Sequence, residues 1–83
     1  MSIFATIAVV CTLATCNDYV IDTAATVQDA NVNTQKQDDR FLAIYGDEKL
    51  LSEWLTEFKI GETMFDIVSL EMETRVIKDS EIP

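Results

Sequence analysis

Apolar residues fill the first stretch of the chain almost without interruption, and their spacing then changes from segment to segment. Over residues 2–15 one parity (Ile3, Ala5, Ile7, Val9, Cys11, Leu13) is wholly apolar, and the other (Phe4, Thr6, Ala8, Val10, Thr12, Ala14) is nearly so. The β-branched content suits a pleated strand. Apolar residues on both parities suit a strand covered on both faces. Periodicity in such a run does not exclude a buried helix. Asn17-Asp18 interrupts the run before Tyr19-Val20-Ile21 resumes it, and both residues tolerate the backbone of a tight turn. This predicts a β-hairpin of 3–15 and 19–27.

Residues 28–39 (QDANVNTQKQDD) carry amides and acids with Val32 as their one large apolar side chain, the composition of a polar loop. Residues 40–45 (RFLAIY) form a short apolar run that predicts a third strand, ended at Gly46. Beyond it Leu50, Leu51, Trp54, Leu55 and Phe58 recur at helical spacing and fill an arc of about 140°. Asp47 is placed as the N-cap, and Gly61 as the left-handed residue that ends the helix. A helix over 47–60 is the strongest local signal. Residues 63–77 alternate, with Met64, Val68, Leu70, Met72 and Val76 on the apolar parity and Glu71, Glu73 and Arg75 on the wet one. That predicts a strand with one solvated face, long enough to need a bulge or bend. Residues 78–83 are a charged, frayed tail.

The predicted order is β-β-β-α-β: an α+β domain in which one amphipathic helix packs on one face of a small, mostly antiparallel sheet. Its 83 residues suit a single domain, 1–83, with a thin core. One helix shields one face, while the first strand asks for cover on both. The second face then needs a helix formed within 20–35, a second copy of the chain in a homodimer, or a partner.

Cys11 and Cys16 stand five residues apart, ~16 Å in an extended strand, whereas a disulfide needs Cα atoms within ~7 Å. They bridge only if the chain turns back between them. Two free thiols in a reducing, cytoplasmic setting are the expectation. The stretch Leu13-Ala14-Thr15-Cys16 loosely matches a lipoprotein cleavage site, but no Lys or Arg precedes Lys36, as a signal n-region requires. An exported lipoprotein anchored at Cys16 is therefore the weaker alternative, and the apolar run is too short to span a bilayer.

Catalytic chemistry finds little support. There is no histidine to act as a base near neutral pH. Gly46 and Gly61 are the only glycines, so no phosphate cradle forms. The chain lacks the Cys and His set of a structural zinc site and the loop of an EF-hand, so neither a metal nor a cofactor is expected. Glu71 and Glu73 would lie ~6.6 Å apart on one strand face, near glycosidase spacing, but the chain is too small to build a sugar cleft around them.

Charge is the sharpest feature. Fifteen Asp and Glu oppose six Lys and Arg, for a net charge of −9, and residues 38–83 carry most of the excess. Such a chain repels nucleic acid and anionic membranes and attracts basic partners. Asp38, Asp39, Glu53, Glu57, Glu71 and Glu73 are the candidate partner-binding acids. Either they form a solvated surface that keeps the protein soluble, or they form an anionic face that mimics phosphates in the basic groove of a nucleic-acid-handling enzyme. The second alternative describes a non-enzymatic inhibitor or adaptor. In that character the chain resembles, as a class and without any shared motif, small acidic phage counter-defence proteins of the anti-CRISPR or anti-restriction kind. A structural or assembly subunit, stable as a homodimer, is the competing expectation.

Overall fold

A computed structural model describes residues 2–78. Its elements run β1 (Ser2–Thr12), β2 (Cys16–Ala24), α1 (Val27–Ile44), α2 (Glu48–Glu57) and β3 (Ile67–Lys78). The three strands form one antiparallel sheet in the order β2-β1-β3, so the apolar first strand is central. The α+β class and the antiparallel sheet agree with the sequence pattern. The number of helices does not.

Residues 28–39 are not a loop and 40–45 are not a strand: together they make α1. Thr26 caps it, its side chain accepting from the Asp29 N–H. The sheet-facing stripe runs Ala30, Thr34, Gln37, Phe41, Ile44, with Ala30 buried and the others half-buried. Its first half is small or polar because the sheet beneath it is polar there. The buried Thr6 hydroxyl meets Thr34 Oγ1 at 2.8 Å, and Thr34 meets Thr74 Oγ1 at 2.8 Å. This hydroxyl chain joins α1 to β1 and β3 and satisfies groups that would otherwise be costly to bury.

Alternation along β1 sends its even positions towards the helices and its odd positions to the opposite face. The main core lies on the helix side and gathers Ala8, Val10, Trp54, Leu55 and Ile60. Trp54 is 1% exposed, with Phe41 and Phe58 ring centroids at 5.6 and 5.1 Å. Phe41 and Ile44 of α1 pack against the same cluster, so both helices cover one face and, among the described residues, leave the other without a helix.

That other face carries a second apolar cluster, Ala5, Ile7 and Ile77 with Ile3, Val9 and Val20 around it, and an ion pair runs across it. Arg75 on β3 pairs with Asp18 on β2 at 2.6 Å and with its own neighbour Glu73. Since β1 lies between those strands, the guanidinium must cross it. The register places Glu73 opposite Ile7, Asp18 opposite Val9 and Arg75 opposite Ala5, so the crossing falls over Ile7. Ile7 is 2% exposed with no helix above it among the described residues. A long arginine stem covers apolar surface while its head stays solvated, so part of the cover on this face comes from within β3 itself.

The hairpin turns earlier than Asn17-Asp18, which lies inside β2. The connection is residues 13–15, held by the Thr12 N–H donating to the Thr15 carbonyl (2.8 Å) and by Thr12 Oγ1 accepting from the Ala14 and Thr15 N–H groups. Cys11 and Cys16 therefore face each other across the strands with Cα atoms 4.0 Å apart, and they form a disulfide. The expectation of free thiols is overturned: the chain does turn back between them.

The helix expected over 47–60 is α2, capped by Asp47, whose side chain accepts from the Leu50 N–H at 3.0 Å. It ends sooner than expected, and not through Gly61. The Ile60 N–H donates to Leu55 O and the Lys59 N–H to Thr56 O, a Schellman closure with Lys59 at φ 56° in the left-handed position. A lysine there bears strain of about 1–2 kcal/mol, partly offset by its charge near the helix C-terminus. Lys59→Gly is expected to stabilise the domain by roughly 0.5–1 kcal/mol, raising the melting temperature, while Lys59→Ala gives no gain. Equal melting of the two variants would contradict this account of the helix end.

The bulge expected in the last strand is present: the register with β1 shifts between Cys11 and Thr12, where Ser69 and Ile67 are the partners and Val68 is the extra residue. It returns Ile67 to the helix side, against the main core. Residues 63–66, expected as strand, are a turn in which the Asp66 N–H donates to Thr63 O. Of the expected frayed tail, Lys78 closes β3 and residues 79–83 lie outside the described residues.

Candidate interaction surface

The six candidate acids do not share one face. Asp38 and Asp39 lie on α1, and Glu53 and Glu57 on α2. Arg40 Nη2 meets Glu57 Oε2 at 2.7 Å and its guanidinium sits 5.9 Å from the Phe58 ring, so one arginine ties the two helices together. The like-charge cost of Glu53 and Glu57 at i and i+4 is thereby relieved at Glu57. Asp39 accepts from Gln35 at 2.9 Å, Glu53 is exposed, and Asp38 is half-buried.

Glu71 and Glu73 are exposed on the opposite sheet face, as the cross-strand partners of Val9 and Ile7. There Glu73 is held by Arg75. The helix side therefore gathers four of the six acids and the sheet face two. Asp18 and Arg75, which organise the sheet face, stand 57 residues apart, and no local pattern marks them as partners.

A second feature has no counterpart in the charge pattern. Between the C-terminal end of α1, the start of α2 and the start of β3 lies a cleft of about 480 Å3, lined by Phe41, Tyr45, Leu51, Met64 and Leu70, with Glu48 among its walls. Its rim is apolar and open: Tyr45 is 71% and Val68 58% exposed, and Phe65 on the neighbouring turn is 82% exposed.

The segment carrying Met64 and Phe65 is anchored through Glu62. That carboxylate accepts from Asn17 Nδ2 at 2.8 Å and from the Tyr19 hydroxyl. The Tyr19 hydrogen bond holds the Glu62 carboxyl below the usual carboxylate range, with Asn17 adding to it against the opposing effect of burial. The same bond raises the Tyr19 phenol.

A carboxyl depressed in the folded state contributes stability that is present above its unfolded value of ~4.3 and is lost as pH falls through the folded value. The stability margin of wild type over Glu62→Gln is thus expected to be widest near neutrality and to narrow in acid. Melting curves of both proteins from pH 7 down to pH 3 check this, and a margin independent of pH would contradict it.

Among the described residues no three Cys, Asp or Glu side chains converge to hold a metal ion. No helix among them is long and apolar enough to cross a membrane. Comparison with protein-family models, with curated proteins and with solved structures finds no match.

Proposed function

We propose that this chain is a small non-enzymatic inhibitor or adaptor that docks on a larger protein with a basic surface, through the anionic helix side bearing Asp38, Asp39, Glu53 and Glu57. The observation that carries the proposal is how the cations are placed. Both arginines of the chain are engaged in ion pairs, Arg40 with Glu57 and Arg75 with Asp18 and Glu73, against a net charge of −9. Over residues 27–60 seven acids stand against Lys36, Arg40, Lys49 and Lys59, so the helix side keeps a net negative charge, which steers cationic partners and repels nucleic acid. A partner whose groove ordinarily holds a phosphate backbone offers the matching field, and occupying that groove would exclude nucleic acid.

The counter-defence version of this proposal, an anti-CRISPR or anti-restriction role, remains an analogy of class. It also implies a cytoplasmic site of action. That location was expected from free thiols, and it loses this support now that Cys11 and Cys16 are bonded. Structural disulfides suit oxidising compartments. The redox state of the pair in the native host thus separates a cytosolic partner from an exported one.

The test is affinity capture from the native host at 50 and 500 mM salt. A basic partner retained at low salt and released at high salt is expected, because the Debye length falls well below ~10 Å over that range. Capture indifferent to salt, or no capture at either salt, would contradict the proposal.

A further inference from the structure

We infer that the cleft beside β3 is the anchor of the docking surface, and that it takes an extended, lysine- or arginine-bearing segment of the partner whose apolar side chains enter the cleft. This rests on the proposed basic partner and names where on the molecule that partner is held.

Two observations place a strand there. Among the described residues the sheet order β2-β1-β3 leaves the outer edge of β3 without a strand along its 12 residues. Residues 67–70 all line the cleft although successive side chains point to opposite faces, so the cleft meets β3 edge-on, at the bulge. Sheet edges in folded proteins are normally blunted by charge, proline, bulges or cover, and the charged stretch from Glu71 to Arg75 does this for the far part of β3. At the cleft the edge presents the exposed Val68 beside Tyr45 and Phe65. An added strand would gain main-chain hydrogen bonds from the edge and side-chain contacts from the cleft.

Charge selects the occupant. The described lining contains Glu48 and no Lys or Arg; among the sequence neighbours of lining residues Asp47 and Asp66 are acidic, Lys49 is basic, and the basic Arg40 is already paired with Glu57. A second copy brings the same net negative charge to this edge, whereas a cationic segment is complementary to it.

The experiment follows the backbone amides of the full chain by NMR while titrating three synthetic peptides of about eight residues, an ordinary strand length. One alternates lysine with valine and leucine, one alternates lysine with serine, and one alternates glutamate with valine and leucine. The lysine–apolar peptide is expected to shift the amides of Val68, Ser69 and Leu70 together with Tyr45 and Leu51. It should bind at least ~10-fold more tightly than either of the others, since one well-buried apolar side chain is sufficient for that factor.

Val68→Lys is expected to weaken it at least ~10-fold with an unchanged melting curve, because Val68 is largely exposed. Val76→Lys, the same charge change at an exposed β3 position away from the cleft, should weaken it less. Equal binding of the two lysine peptides, or shifts confined to the helix-side acids, would overturn the cleft and leave the anionic proposal standing. Absence of shifts with every peptide would remove both. Self-association of the free chain through the β3 amides would overturn the cationic occupant in favour of a second copy.

Discussion

Replacing Trp54 by alanine is expected to cost about 3–5 kcal/mol, the ordinary range for deleting a large buried aromatic. Trp54 joins Ala8 and Val10 of β1 to Leu55 and Ile60, and its ring stands between Phe41 of α1 and Phe58 at the end of α2. Its loss opens the one place where both helices and the central strand meet. A single domain has only ~5–15 kcal/mol of stability in total, so the variant should unfold at or slightly above room temperature.

Trp54→Phe should cost far less. Phenylalanine keeps a ring between the two aromatics, and it removes the indole Nε1–H, which is buried without a hydrogen-bond partner among the described residues. An unsatisfied buried donor costs about 1–3 kcal/mol, offsetting part of the lost volume. Urea titrations of the two variants check this. An alanine variant that melts within a few degrees of wild type would show that the core is not organised around Trp54.

Breaking the Cys11–Cys16 bond is expected to cost about 2 kcal/mol. The two residues are separated by five positions, and closing so short a loop removes less denatured-state entropy than closing a long one. The cost should show as a lower denaturation midpoint for Cys11→Ser/Cys16→Ser, or for wild type in excess reductant. The fold itself should survive, because the hairpin is also held by its strand register and the Thr12 turn. The intact mass of the oxidised protein should fall short of the reduced mass by two hydrogens. A fully reduced mass without reductant, or identical midpoints in both states, would contradict the bonded pair.

The cysteines show where sequence patterns stop being informative. Their pairing depends on whether the chain reverses at residues 13–15 or at Asn17-Asp18, and composition favours Asn17-Asp18. What places the turn earlier is the Thr12 hydroxyl, which accepts from two successive N–H groups, a role that any threonine in a β-rich run could fill. α1 was hidden for a different reason. Amphipathic patterns reveal a helix by its apolar stripe, but Ala30 and Thr34 face a sheet that offers Thr6 and Thr74, so the buried side looks like a loop. α2 was legible because its stripe packs on apolar residues and its start carries a capping aspartate.

The surface was legible only in part. Acidity is a property of composition and is visible at once, but its division between the helix side and the sheet face depends on topology. The strap formed by Arg75, Asp18 and Glu73 requires β2 and β3 to flank β1, which the apolar pattern of β1 suggests without naming its neighbours. The cleft depends on the end of α1 coming to rest beside the start of β3. Tyr45, Met64 and Val68 carry no sign of that in their local sequence.

The central claim is that the helix-side acids bind a basic partner, and one titration tests it most directly. Asp39 and Glu53 are both exposed and lie outside the ion pairs among the described residues. Asp39→Lys/Glu53→Lys therefore leaves the Arg40 and Arg75 pairs intact while moving the net charge of −9 by four positive units. Calorimetric titration of the captured partner with wild type and with this variant, at 50 and 500 mM salt, should show at least a ~10-fold loss of affinity at low salt and a smaller difference at high salt. The melting curves of the two proteins should coincide. A folded variant that binds as tightly as wild type at both salts would show that these acids serve solubility and not recognition.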